Sequence, residues 1–401
     1  MTRCIVHIGM HKTGSTSIQH SLNGFSDDRY LYASLDIPNH SLAIYSMFAP
    51  RPDRHHLHRT AGLETEAVAD YAARMRLALD QSIDSLRNRT LLISGEDISV
   101  LPPDSLVRLR DYLRARLSEI TIVGYVRPPA AFISSGFQQR VQTGSVVQIN
   151  PEGEYRKYRE YFDPFDEIFG RENVHLWKFD PITFPGGCAV RDFCARLDIA
   201  LPSKRIYRLN DSLSRQSIAM LYVYNKLRHK YGFSIMGGSE AQELGNRLTI
   251  CGADKFRFSM DVIRPVLEKN RADIQWMEHR LGHSLHEELG EHQLGDVRDE
   301  SDLLRPDPAL VSKLLELLRD AAPSGVRGDT IDEVVLLVHA FRQAISRQEP
   351  TDGRGIEAGK TRQQDRSQHS TTPRSGPSLI VAFCRKLTTT LLSPRRSNKK
   401  S

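Results

Sequence analysis

Residues 3–9, RCIVHIG, form a short unbroken apolar run, the pattern of a strand buried on both faces. Small polar residues follow, and then SIQHSLNGF, which reads as a helix. Residues 29–34 suggest a second strand. Val68, Tyr71, Met75, Leu79, Ile83 and Leu86 recur every three or four positions and predict a helix over 64–89. Three more apolar runs, TLLIS at 90–94, EITIVGYV at 119–126 and NVHLWKF at 173–179, predict further strands. Helical spacing appears at 103–117, 155–170 and 190–197. Strands alternating with helices imply right-handed βαβ units, so the expected fold is α/β, a parallel central sheet flanked by helices.

From about residue 213 the pattern turns mostly helical, with helices expected over 214–231, 263–281, 308–321 and 331–347. Residues 35–62 show poor periodicity and read as an irregular excursion, a candidate cover for an active site. Residues 350–376 are rich in Arg, Gln, Ser, Thr and Gly and read as disordered. The expected organisation is one domain over 1–349, with an α/β part at 1–212, a mostly helical part at 213–349 and a basic tail at 350–401.

Charge separates the tail from the body. Residues 351–401 hold 11 Lys and Arg against 3 Asp and Glu, whereas residues 1–350 hold 44 against 46. The body is therefore near neutral, which argues against a nucleic-acid partner. Arginines around the apolar stretch 378–393 would suit weak contact with the inner face of a membrane; a solvated extension is the preferred reading. The five cysteines, Cys4, Cys188, Cys194, Cys251 and Cys384, match no zinc or redox spacing and read as reduced thiols. No basic segment with a long apolar core opens the chain, and no stretch reaches the ~18–20 apolar residues of a membrane span. A cytoplasmic location is expected.

The loop after the first strand carries the chemistry. Gly9, Met10, His11, Lys12, Thr13, Gly14, Ser15, Thr16 and Ser17 lie between a strand and a helix, where backbone N–H groups and a helix N-terminus face an anion. Gly9 and Gly14 have the spacing of a nucleotide-triphosphate loop. The lysine expected after the second glycine is replaced by Ser15, and Lys12 stands three residues earlier. A triphosphatase needs that lysine and a Mg²⁺ on the β- and γ-phosphates; a lysine on the approach side suits a less charged ligand. Simple helix capping would account for the hydroxyls alone, but not for the strand, the paired glycines and the lysine together.

With these residues the chain resembles the sulfotransferases that use 3′-phosphoadenosine 5′-phosphosulfate (PAPS), in particular bacterial members with an H-x-G-x-x-K-T-G-[ST]-T-S loop near the N-terminus. The resemblance runs from residue 3 to about residue 215 and is weak across 35–62. It implies a P-loop-like fold and a 5′-phosphosulfate site formed by Lys12, Thr13, Gly14, Ser15, Thr16 and Ser17. It also implies a 3′-phosphate site formed by Arg127, which ends EITIVGYV, and Ser135, eight residues later. The family's later Arg-Lys-Gly element is absent. The segment 208–214 could replace it as a loop over the nucleotide, but a helix cap at Asp211 or Ser212 is preferred.

The implied reaction moves a sulfuryl group to a hydroxyl or amine, with a glycan or glycolipid as the expected acceptor, and needs a proton acceptor. The resemblance places that base after the 90–94 strand, so Glu96 is the candidate, with Asp97 and His11 as competitors. Lys12 would stabilise the leaving phosphate, and no metal is expected. His55, His56 and His58 could bind zinc, but no carboxylate or thiolate accompanies them at a matching spacing, and they read as a surface loop. Gln138, Gln139 and Arg140 are candidates for the acceptor side. A P-loop kinase or NTPase is the alternative function. A binding protein that kept the nucleotide site and lost the acceptor is a third.

Overall fold

The computed structural model describes residues 2–348, apart from 146–147, 210–212, 236–237, 249–253, 288–295 and 306. The basic tail, Cys251 and Cys384 lie outside the described residues. Five strands form one parallel sheet: β1 (Arg3–His7), β2 (Tyr30–Tyr32), β3 (Thr90–Ser94), β4 (Glu119–Val126) and β5 (Val174–Lys178). The order is β2-β3-β1-β4-β5, with Val6 beside Ile93 on one side and Ile122 on the other. β1 is thus central, and the loops leaving β1, β3 and β4 meet at one edge of the sheet. In an open α/β sheet, ligands settle outside the carboxyl ends of the strands, where the strand order reverses. Here that place lies beyond Ile8, Ser94 and Val126.

The two-residue period of the strands sorts their side chains onto two faces. Leu91, Ile93, Ile120 and Ile122 pack with residues of helices α4 (Thr65–Asp84), α5 (Pro103–Arg114) and α8 (Tyr158–Phe169). Leu92, Val123 and Tyr125 pack on the other face with α1 (Ser15–Leu22) and α9 (Ala189–Arg196). A separate core holds the helical half: α10 (Arg215–Leu227), α11 (Gly238–Leu248), α12 (Met260–Lys269), α14 (Pro308–Leu318) and α15 (Ile331–Gln348). Helix α6 (Pro129–Gln142) joins the two. Its Phe132 is buried in the sheet core, and its Ile133, Phe137 and Val141 are buried in the helical core.

Several elements differ from the sequence reading. Residues 35–62 are ordered as α2 (Ser41–Phe48), a short turn of 3₁₀ helix and α3 (His56–Thr60). Helix α2, SLAIYSMF, is apolar almost all round and buried, so it leaves no amphipathic stripe to detect. The helix expected over 263–281 is two helices, α12 and α13 (Arg271–Leu281), because Asn270 leaves the helical conformation (φ −104°, ψ 17°). Two further α-helices, α7 (Pro151–Glu154) and α11, were not expected at all. Among the described residues no helix is long and apolar enough to cross a membrane.

The 35–62 segment fastens the end of β3. Backbone His40 N donates to Ser94 O at 2.9 Å, and Asp97 N donates to Ser41 Oγ at 3.0 Å. Gly95 makes this closeness feasible: a Cβ there would fall 2.6 Å from Ser41 N and 2.9 Å from its Cα, both backbone atoms that cannot turn aside. Gly95→Ala is therefore expected to destabilise the fold by about 1–3 kcal/mol. Urea unfolding checks this, and an unchanged midpoint would show that the contact between 94–97 and α2 is looser than described.

Candidate active site

β1 hands its hydrogen bonding on to the loop that follows. Ile8 N donates to Val123 O at 3.0 Å, Met10 N to Tyr125 O at 2.9 Å, and Tyr125 N to Gly9 O at 2.6 Å. Gly9 has φ +89°, and a Cβ on it would stand 3.0 Å from Glu96 Cβ, so the bare backbone lets the β3 loop close against the β1 loop. Lys12 has φ 65°, a left-handed conformation that costs a non-glycine residue about 1–2 kcal/mol. Gly14, at φ +79°, is the N-cap of α1 and supplies no side-chain acceptor to that helix. No acidic residue stands in the first turn of α1. The N-terminal amides of α1 thus lack a capping side chain, the condition that suits an anion.

The hydroxyls of the loop divide. Thr13 is fully buried, and its Oγ1 donates to Met10 O at 2.6 Å, inside the loop. Ser15 Oγ reaches the same carbonyl at 3.4 Å, so both hydroxyls brace the loop, and Thr13 is the one of the four expected hydroxyl residues that does not line the cleft. Ser15, Thr16 and Ser17 line a cleft of about 440 Å³ together with Lys12, Gly14, Glu96, Arg127 and Ser135. Ser17 Oγ also accepts from Leu209 N at 3.0 Å, which ties the 207–209 segment to the same cleft. Ser214 caps α10 by accepting from Ser217 N at 3.1 Å, so the cap lies at 214. Asp211 and Ser212, where it was expected, lie outside the described residues.

Two of the four described Lys and Arg side chains that line this cleft, Lys12 and Arg127, stand at the loop; Arg208 and Lys255 are the others. Arg127 donates through Nη1 to the carbonyl of Lys12, and its guanidinium lies 5.5 Å from the ring centre of Phe179. Arg127 Nε is buried with no hydrogen-bond partner. A buried N–H left unpaired costs about 1–3 kcal/mol, more for a charged group. The Lys12 pKa is lowered to about 8, by burial first and by the Arg127 charge next, with Glu96 opposing both. Burial likewise brings Arg127 down to about 10, opposed by Glu287. Both cations are short of negative charge.

Two adjacent carboxylates behave oppositely. Glu96 accepts a hydrogen bond from Gln19 Nε2 at 3.0 Å, and burial raises its pKa above the ordinary carboxylate value, with nearby Asp97 adding to the rise and His11 opposing it. Asp97 is also raised by burial, but hydrogen bonds from His11 and His55 prevail and hold it well below the carboxylate range. The distances are 3.0 Å from His11 Nε2 to Oδ1 and 3.2 Å from His55 Nε2 to Oδ2. The Tyr161 hydroxyl lies 3.1 Å from His11 Nδ1. Asp97 is thus committed to two histidines, whereas Glu96 keeps basicity suited to taking a proton.

Gln138, Gln139, Gln142, Thr143 and Lys255 continue the wall beyond Ser135, and Phe179, Phe184 and Tyr207 form an aromatic side. Arg140 does not join them; it pairs with the buried Glu154 at 3.3 Å. Sequence reasoning missed Gln19, Lys255 and the aromatic wall. Gln19 had a visible signal, being a polar residue on the buried face of a short helix. It also missed Glu287, whose carboxylate accepts from Ala130 N at 2.9 Å and Ala131 N at 3.1 Å at the start of α6. The surface reading of the three histidines holds for His56, which is exposed, and is corrected for the other two. His55 and His58 are buried, at 5% and 1% exposure, and Asp97 is the carboxylate that the linear spacing did not reveal.

No protein-family model matches the chain, and no curated protein does. Among the solved structures that are similar in part are two sulfotransferases. One is a sulfotransferase from Alicyclobacillus acidocaldarius, 16% identical, with 57% of this chain and 95% of that one covered at a TM-score of 0.32. The other is the sulfotransferase domain from the curacin biosynthetic pathway, 13% identical, with 67% and 97% covered at a TM-score of 0.35. At such scores these likenesses decide neither fold nor activity.

The lowered Lys12 pKa has a sign that can be checked. The unfolded chain, with Lys12 at 10.5, binds more protons than the folded one between about 8 and 10.5, so this group's contribution to stability rises with pH across that window. Lys12→Met is expected to stabilise the ligand-free protein by about 1 kcal/mol at neutral pH, the shift being discounted for partial exposure. The gain should shrink toward pH 10. Paired urea titrations at several pH values test both; a variant less stable than wild type at neutral pH would contradict the description.

Proposed function

We propose that this protein transfers a sulfuryl group from PAPS to a hydroxyl or amine of an acceptor. One observation carries the proposal: two half-buried cations, one with a buried, unpartnered N–H, line the same cleft as an uncapped helix N-terminus and a carboxyl of raised pKa. The cleft lacks anionic charge on one side and offers a base on the other. A nucleotide with phosphates at both ends supplies the first need, and an acceptor with a removable proton supplies the second. Support comes from Arg127 and Ser135 lining the same cleft as Lys12, which fits two separate anionic groups on one ligand.

In this reading the α1 amides, with Ser15, Thr16 and Ser17, hold the 5′-phosphate, and Arg127 with Ser135 holds the 3′-phosphate. Phe179, Phe184 and Tyr207 give the base an apolar side to lie against. The acceptor oxygen or nitrogen attacks sulfur, forming a new bond to sulfur as the bond from sulfur to the bridging oxygen breaks. The bridging oxygen leaves with the electron pair on 3′,5′-adenosine diphosphate, and Lys12 stabilises the charge that develops there. The acceptor's proton goes to Glu96, positioned by Gln19. The step needs no metal. The amides of Gln138, Gln139 and Gln142 suit a polyhydroxyl acceptor, a glycan or glycolipid, and the cytoplasm is the proposed location.

The donor and the base are tested separately. Calorimetry without metal should show 3′,5′-adenosine diphosphate binding, weakened by roughly 10–100-fold in Arg127→Ala. Affinity should fall as pH rises past about 8, where Lys12 of the free protein loses its proton. Tight binding of ATP with Mg²⁺ and none of the diphosphate would favour the kinase or NTPase reading instead. With an acceptor found by screening carbohydrates against labelled PAPS, Glu96→Gln should lower kcat by about 10²–10⁴ while leaving nucleotide affinity nearly unchanged. An unimpaired Glu96→Gln enzyme would remove Glu96 as the base.

A further inference from the structure

The nucleotide reading leaves the histidines of the 35–62 segment unused. His55 and His56 come from the start of α3, and Asp97 comes from the loop after β3, 42 residues later than His55. One donor atom from each lies within 4.8 Å of those of the other two. His55 is buried, Asp97 is partly buried and His56 is exposed. Two imidazoles and a carboxylate with one open side form a donor set suited to a borderline divalent cation such as Zn²⁺.

We infer that His55, His56 and Asp97 form a divalent-cation site of the zinc type beside the cleft. Asp97 has two oxygens with separate duties. Oδ2 faces His55 at 3.2 Å and would turn to the metal, while Oδ1 keeps its 3.0 Å hydrogen bond from His11 Nε2. A ligating carboxylate is commonly held by such an outer partner. His55 Nδ1 accepts from Leu57 N at a long 3.3 Å. Ligation through Nε2 puts the ring proton on Nδ1, so this weak cap bond is given up in exchange for the metal bond. The ion would fasten α3 to the residue next to Glu96, which gives it a positioning role. His11, which lines the cleft, would link it to the nucleotide loop. The inference does not depend on the identity of the donor nucleotide.

The test uses the full chain, stripped with a chelator, and titrates Zn²⁺ or Co²⁺ in a non-coordinating buffer. One equivalent is expected to bind, with the visible bands of low-coordinate Co²⁺ and a raised Tm. His56→Ala alters an exposed side chain and should fold normally; it should weaken binding by more than about tenfold and abolish the Tm shift. Asp97→Asn should do the same. His279→Ala, on α13, should change neither. Absence of stoichiometric binding, or binding that survives His56→Ala, would overturn the site. Because the readout is metal uptake, failure here leaves sulfuryl transfer standing, and failure of sulfuryl transfer leaves this site standing.

Discussion

Lys12 and Arg127 are held side by side, and the Arg127 guanidinium is hydrogen-bonded to the Lys12 backbone. Like charges brought together in a partly dry place repel and lose hydration. Neither would stay there without a scaffold stronger than the repulsion. The scaffold is the parallel sheet: Gly9 follows β1, Arg127 follows β4, and hydrogen bonds to β4 continue past the end of β1 as far as Met10. The sheet therefore holds the two cations together against their mutual repulsion. The left-handed Lys12 and the unpaired Arg127 Nε are marks of the same condition.

The α/β body was legible because its strands are continuous apolar runs and its longest helix has a clear stripe. Every strand expected from the sequence is present within two residues at each end. The loop residues were legible for a different reason: glycine, lysine and hydroxyls cluster in the few positions between strand and helix. What remained hidden depends on contacts between distant segments. α2 is apolar all round, so periodicity says nothing of it. Thr13 and Thr16 look alike in sequence, yet only the fold turns one inward to Met10. Asp97 and the histidines stand far apart in the chain and meet only because Gly95 lets α2 press on the end of β3.

Glu96 and Asp97 show how neighbours can take opposite chemical characters. They share a backbone and almost the same depth. Asp97 is surrounded by imidazole donors, whereas Glu96 has one neutral amide. Hydrogen-bond donors that favour the ionised form lower one pKa, and burial without enough of them raises the other. The histidines thus spare Glu96 from competing with its neighbour for a proton.

Helix α6 is anchored in two cores, with Phe132 in one and Phe137 in the other. Arg127 precedes the helix and belongs to the sheet; Ser135 lies between the two anchors. The wall of the cleft is thus built by two bodies at once: the sheet sets where Arg127 stands, and the helical core shares in setting where Ser135 and the glutamines beyond it stand.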